Sequence, residues 1–163
     1  MSFGEDGYTE LTTMRGRDYP ALTQFTIFLE NRVGQLMEVI RRFEGSNVRI
    51  LALTINDSTE CAFGRFLLSN PENGRELLEG SGLPMIESQL IALELPDTNQ
   101  PLLNVCTALL QAEINITQTY PLLSRPHGRP VVALMVDNID HAVETLTDKG
   151  FNLITEDDLI FDQ

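Results

Sequence analysis

The stretch Leu29 to Ile50, LENRVGQLMEVIRRFEGSNVRI, returns 66 positions later as Leu95 to Ile116, LPDTNQPLLNVCTALLQAEINI. Set side by side without a gap, the two pair Leu29 with Leu95, Leu36 with Leu102, Met37 with Leu103, Val39 with Val105, Ile40 with Cys106, Phe43 with Leu109, Val48 with Ile114 and Ile50 with Ile116. Four of these pairs are identities and the others stay apolar, so the match is carried by residues of the kind that face a core. A repeat of that sort constrains the chain to two copies of one structural unit.

Each copy reads as strand, helix, strand, strand, helix, strand. In the first, LTQFTIFL from Leu22 to Leu29 alternates and is rich in β-branched and aromatic residues, which predicts a strand. Leu36, Val39, Ile40 and Phe43 then recur at helical spacing up to Gly45. Strands follow over Val48–Ile55 and Cys61–Leu68, with Asn56-Asp57-Ser58 as turn chemistry between them. Asn70-Pro71 is a helix start, Gly80 to Gly82 a stop, and Leu83–Glu87 a closing strand. The second copy is expected as strand Leu90–Leu95, helix Leu102–Leu110, strands Asn115–Leu122 and Pro130–Val136, helix Asp140–Lys149 and strand Phe151–Ile154. In its later half the offset becomes 68, pairing Phe66 with Leu134, Leu68 with Val136, Leu78 with Leu146 and Gly82 with Gly150. The two extra residues belong in the loop around Ser124 to His127, where an insertion costs least. The expected organisation is an arm over residues 1–21, a first unit over 22–88 and a second over 89–163.

Composition narrows the function classes. A formal charge of −13 disfavours nucleic acid and anionic membrane surfaces as partners. There is no apolar run long enough to span a bilayer and no basic start followed by an apolar segment, so a cytoplasmic protein is expected. Cys61 and Cys106 sit singly in apolar runs and read as small core residues in a reducing compartment. His127 and His141 have no ligand partners nearby in sequence, and Glu156-Asp157-Asp158 with Asp162 reads as a solvated terminus. No GxSxG, GxGxxG or P-loop occurs, so no catalytic residue, metal or cofactor is expected.

The informative local feature is the turn ENRVGQL between the first strand and first helix. Free N–H groups and the positive end of the helix dipole favour a carboxylate there, and Gly34 permits close backbone approach. The equivalent turn of the second copy replaces the glycine by Gln100 and follows it with Pro101, which removes a donor.

Asn31, Gly34 and Leu36, the amphipathic helix behind them and the approach Asn47 to Ile50 resemble the ACT domain, a small ligand-sensing module. Leu95-Pro96-Asp97, Ile114-Asn115-Ile116 and the ending VDNIDHAVETLTDKGFNLITEDDL fit the same pattern. The resemblance implies an α+β protein of two ferredoxin-like βαββαβ units, antiparallel sheets with helices on one face. It also implies amino-acid sites where the first turn of one module meets a strand of its neighbour. Carried onto this chain, one site would use Asn31, Val33, Gly34, Gln35 and Leu36 with Asn115, Ile116 and Thr117; the reciprocal one would use Asp97, Asn99, Gln100 and Leu102 with Arg49, Ile50 and Leu51. The function this implies is a non-catalytic, allosteric amino-acid sensor, with Gly34 marking the better-preserved site.

FLENRVGQL specifically resembles the opening of the ACT domain in acetolactate synthase small subunits, which implies an alternative role as the regulatory subunit of a catalytic enzyme partner. A third alternative, a glyoxalase-like metalloenzyme, follows from the resemblance of the chain's end to paired βαβββ modules. Free edges on ferredoxin-like sheets predict either a homodimer or continuation of the sheet within the chain.

Overall fold

The computed structural model describes residues 18–30 and 33–161. The expected arm therefore lies outside the described residues except at its end, where the Tyr19 hydroxyl donates to the Asp140 carboxylate. The elements are β1 (Leu22–Leu29), α1 (Val33–Arg41), β2 (Ile50–Asp57), β3 (Ala62–Leu68), α2 (Pro71–Glu79), β4 (Met85–Glu94), α3 (Pro101–Gln111), β5 (Ile116–Pro121), β6 (Val131–Val136), α4 (Ile139–Asp148), β7 (Leu153–Ile154) and α5 (Glu156–Phe161).

All strand pairs are antiparallel, and the strand order is β2-β3-β1-β4-β6-β5 with β7 also on β4. Each unit thus has the ferredoxin-like order: β2-β3-β1-β4 in the first, β5-β6-β4-β7 in the second. The strand they share is the main difference from the sequence expectation, which had separate strands over Leu83–Glu87 and Leu90–Leu95. The intervening Ser88-Gln89 contains neither glycine nor proline, so nothing interrupts the extended chain. Its first half pairs with β1, Ile27 opposite Met85 through Leu22 opposite Leu90, and its second half pairs with β6 and β7. The Pro84 carbonyl accepts from Phe28 N–H, and Glu94 N–H donates to the Asn152 carbonyl, whereas Leu95 N–H donates to Pro130. Alternate residues of a strand point their backbone groups to opposite edges. β1 and β7 therefore follow one another along one edge of β4, with β6 on the other. The sheet continues from one unit into the next within a single chain.

The repeat holds in three dimensions. Phe66, Leu68, Leu78, Val39 and Val48 are buried under the helices of the first unit; Leu134, Val136, Leu146, Val105 and Ile114 occupy the matching places in the second. Asn70 caps α2 by accepting from Asn73 N–H at 3.2 Å, and Asn138, 68 residues later, caps α4 by accepting from His141 N–H at 3.0 Å. Gly82 and Gly150 end the corresponding turns at φ of +71° and +85°, a region that penalises any side chain.

A third apolar cluster lies between the units. Leu22, Leu51, Leu67, Leu90, Ala92, Leu122, Val131, Ala133, Ile154 and Leu159 bring the helix-free faces of the two sheets together. The Leu123 N–H donates to the Leu51 carbonyl at 2.8 Å, joining the chain beyond β5 to β2, so the outermost strands of the two units meet and the sheet rolls on itself. A polar seam crosses this layer. Tyr120 donates its hydroxyl proton to Gln24 Oε1 at 2.5 Å, and Gln24, only 1% exposed, donates to Ser88 Oγ at 3.3 Å.

Glu156, Asp157 and Asp158 are half-buried in α5, which corrects their reading as a solvated terminus, while Asp162 lies outside the described residues. Thr155 and Asp158 form a reciprocal capping box, with Asp158 Oδ2 accepting from Thr155 N–H at 2.9 Å and Thr155 Oγ1 accepting from Asp158 N–H at 3.3 Å. The helix so started buries Leu159 in the inter-unit cluster, and Thr23 Oγ1 donates to Glu156 Oε1 at 3.4 Å. Cys61 and Cys106 are free and half-buried rather than buried. Among the described residues no helix is long and apolar enough to cross a membrane.

Candidate ligand-binding site

The second unit holds an open cavity of about 350 Å³. Its walls come from four places that the fold brings together: Leu95 just past β4, Leu102 in the first turn of α3, Thr119 to Leu122 at the end of β5, and Arg125 with Pro130, Val131 and Val132 from the following loop and β6. The loop is held in shape by local chemistry. Arg125-Pro126-His127-Gly128 forms a turn closed by the Gly128 N–H donating to the Arg125 carbonyl at 2.9 Å, with Gly128 at φ +79°. His127 Nδ1 contacts the carboxylate of Glu94, which is 8% exposed, and its Nε2 lies 3.7 Å from Asp158 Oδ1. These contacts fix the loop to β4 and to α5. Leu122 N–H donates to the Val131 carbonyl at 2.9 Å and closes its base.

The cavity is apolar along its floor and has two features that favour an anion. One is the cationic residue Arg125 in its lining. The other is the start of α3, where Gln100 makes no side-chain cap bond and Pro101 occupies the first helical position, so the positive helix end near Leu102 is not covered by a cap. β5 is an edge strand, which leaves a row of its backbone groups without sheet partners. Tyr120 links this cavity to the first unit through Gln24. Burial pushes its phenol well above the ordinary range, partly opposed by the Arg65 guanidinium.

Of the residues implicated by the sequence, Leu102 lines this cavity. Leu51 reaches the same region through its carbonyl bond to Leu123, while Asp97 is exposed and 3.8 Å from Arg129, and Asn99 and Gln100 are exposed on the loop before α3. Arg49 is exposed, with its N–H donating to Ser69 Oγ at 2.8 Å, and Ile50 is half-buried against the first core. Asn115 and Thr117 bond across the β5–β6 hairpin, to the Asp137 carboxylate and the Met135 carbonyl respectively, and Ile116 packs against the second core. Asn31 lies outside the described residues. Val33 is 86% exposed, and a Cβ added at Gly34, the second residue of α1, would meet nothing within 4 Å. Gln35 Oε1 accepts from Glu30 N–H at 2.7 Å, and Leu36 packs against the first core. In the first turn of α1, Val33 and Gly34 are thus exposed while Gln35 and Leu36 are half-buried.

Arg125 has no motif around it in the sequence, and His127 has no ligand partner nearby in sequence. The signal for the turn was present in Arg-Pro-His-Gly; the closeness of Glu94 and Asp158 to His127 was not, because they are 33 and 31 positions away. Among the described residues no group of three or more His, Cys, Asp or Glu is placed to hold a metal ion.

Two ferredoxin-like units sharing a strand, helices outside and sheets face to face, define a tandem α+β doublet. Residues 21–161 match the family model of the ACT domain pair, and the chain belongs to that family. ACT domains are regulatory modules, and the observed βαββαβ order replaces the βαβββ order of the glyoxalase-like alternative. No curated protein matches the chain. Among solved structures, a protein of Bacteroides thetaiotaomicron has a TM-score of 0.77 at 23% identity, covering 87% of this chain and 97% of that one. The regulatory subunit of aspartate kinase from Thermus thermophilus, in its ligand-free form, has a TM-score of 0.54 at 11% identity over 80% and 93%. The α and β subunits of an aspartokinase give 0.51 at 12% over 80% and 93%.

Proposed function

We propose that the chain is a non-catalytic regulatory protein that binds a free amino acid in the cavity of its second unit. The observation that carries this reading is the joining, in the lining of one ligand-sized space, of Arg125, of Leu102 from the first turn of a helix without a side-chain cap, and of the apolar residues Leu95, Leu122 and Val131. The carboxylate would lie against Arg125 and the α3 amides. Thr119 and edge carbonyls of β5 would take the ammonium, and the walls an apolar side chain. In a chain of net charge −13 the general field opposes anions, so local donors have to provide the attraction. The first turn of α1, over Val33 to Leu36, is a second position for the same chemistry, through its helix amides.

Binding would act through Tyr120, which both lines the cavity and bonds to Gln24 of the first unit. A ligand shifts the arrangement of the units only by its differential affinity for two states. An enzyme regulated in this way is the natural target, as with the regulatory subunit of aspartate kinase whose fold the chain shares.

The test is calorimetric titration of the folded protein with each common amino acid. Arg125→Ala should weaken binding about 10- to 100-fold, the range of a lost charge-assisted hydrogen bond. Gly34→Asp, which places a negative charge at the α1 start, should leave it unchanged. The reverse pattern would move the ligand to α1, and no heat with any amino acid would remove the ligand altogether.

A further inference from the structure

His127 stands between two carboxylates that belong to different elements. Its Nδ1 contacts Glu94 Oε1 at the end of β4, and its Nε2 lies 3.7 Å from Asp158 Oδ1 in α5. Neither carboxylate travels with the loop. Glu94 is buried, and its N–H donates to the Asn152 carbonyl at 2.9 Å. Asp158 Oδ2 accepts from Thr155 N–H at 2.9 Å and Thr155 Oγ1 at 3.1 Å, which leaves Oδ1 towards the histidine. On the loop itself the charged residues are Arg125 and Arg129, the latter 3.8 Å from Asp97. A neutral imidazole has one N–H and one lone pair and can serve only one of two acceptors, whereas the imidazolium donates from both nitrogens. The protonated ring is therefore the form that this setting binds, and a carboxylate as buried as that of Glu94 needs such a partner. The first unit has no counterpart. Phe28 stands at the position of Glu94, 66 residues earlier, and the turn from Ser58 to Cys61 contains no histidine.

We propose that His127 is a proton-operated latch on the cavity: its imidazolium holds the 122–130 loop to β4 and α5, and the neutral ring lets it go. The Gly128 N–H donates to the Arg125 carbonyl at 2.9 Å, so the turn is closed on itself and a displacement of His127 is carried to Arg125. Arg125 and Pro130 line the cavity from this loop, whereas His127 lies outside the lining and acts as a positioning residue. Its side chain is 47% exposed, so the proton exchanges directly with solvent. The hold needs an imidazolium and ionised carboxylates together. It is whole at mildly acidic pH and is lost as pH rises through the histidine range, about 6.5 in ordinary peptides. The consequence for binding rests on the amino-acid reading above: affinity at the second-unit cavity falls over the same pH range, and by linkage the ligand's arrival takes up protons.

The first test needs no ligand. Hydrogen–deuterium exchange of the full chain, read by mass spectrometry and corrected for the intrinsic pH dependence of amide exchange, should show protection of residues 122–130 falling about tenfold between about pH 5.5 and 8. His127→Gln should hold the loop at its high-pH protection throughout, and Glu94→Gln should flatten the profile by removing the buried charge. His141→Gln, at the exposed second histidine on α4, should keep the parent profile. Equal protection at both ends of the range in the parent would overturn the latch, and so would a pH dependence that survives His127→Gln. Calorimetry with L-leucine as the probe, chosen for the apolar walls, should give a Kd that rises about tenfold over the same range in the parent and stays level in His127→Gln. Heat with a constant Kd would overturn the latch's control of the cavity. No heat with leucine at any pH, beside pH-dependent loop protection, counts against the amino-acid reading and leaves the latch standing.

Discussion

The two units have the same strand order, matching caps at Asn70 and Asn138 and matching positive-φ glycines at Gly82 and Gly150, yet they differ in what they leave open. The first keeps the glycine turn, with Val33 and Gly34 exposed among its described residues. The second has lost the glycine, gained two residues between β5 and β6, and holds the cavity. At equal fold, the open cavity of the second unit comes from a loop bent away from the sheet. Pro121 ends β5, Leu123 is drawn to Leu51, and the Arg125–Gly128 turn is anchored by His127, so the insertion is spent in making a wall.

The strongest way to break this comparison is through the cores. Phe66→Ala, at a site with no exposure, should cost about 3–5 kcal/mol in urea unfolding, and Leu134→Ala at its counterpart about 2–5 kcal/mol. Because β4 belongs to both sheets, each should lower a single transition followed by fluorescence and circular dichroism alike. Two transitions, only one of them moving, would show the units to be energetically separate.

A smaller effect concerns the seam. Tyr120→Phe should cost about 1–3 kcal/mol at neutral pH, since buried Gln24 loses a donor. Its pH dependence has a definite sign. Burial raises the phenol pKa in the folded state, so the contribution is whole below the unfolded value of about 10 and is lost as pH rises through and beyond it. The parent should therefore lose more stability between neutral pH and pH 11 than Tyr120→Phe does; equal losses would detach Tyr120 from the unit interface. The smallest effect is at the end of the chain, where Thr155→Ala should cost about 1 kcal/mol by uncapping α5, measured by the urea midpoint. The first unit has no element corresponding to α5, so this change separates what is repeated from what is added.

Much of the fold was legible because burial leaves its mark on residue type. The pairs Val39 with Val105 and Phe66 with Leu134 announce equivalent core positions, and Asn70-Pro71 announces a cap. The union of two strands into β4 was not, although the absence of a breaker at Ser88-Gln89 pointed that way. Gln24 and Tyr120 look like solvent-facing positions of alternating strands, and only the meeting of the two helix-free faces buries them. The capping box Thr155-x-x-Asp158 was readable and would have revealed α5. The cavity was not, because it depends on where a nine-residue loop, 122–130, comes to rest against Leu95 and Leu102, which lie far from it in sequence.

The shared strand has a consequence for how such a molecule changes over generations. A duplicated gene ordinarily frees one copy to drift or to be lost. Here a cut between residues 88 and 89 would divide β4, depriving β1 and β6 of a common neighbour and exposing apolar rows on both sides. Register adds to the bond: a slip of one residue along β4 would exchange Leu90 and Ala92 with Ile91 and Leu93 between two different cores at once. The copies are free to diverge at their loops and bound to remain together at their centre.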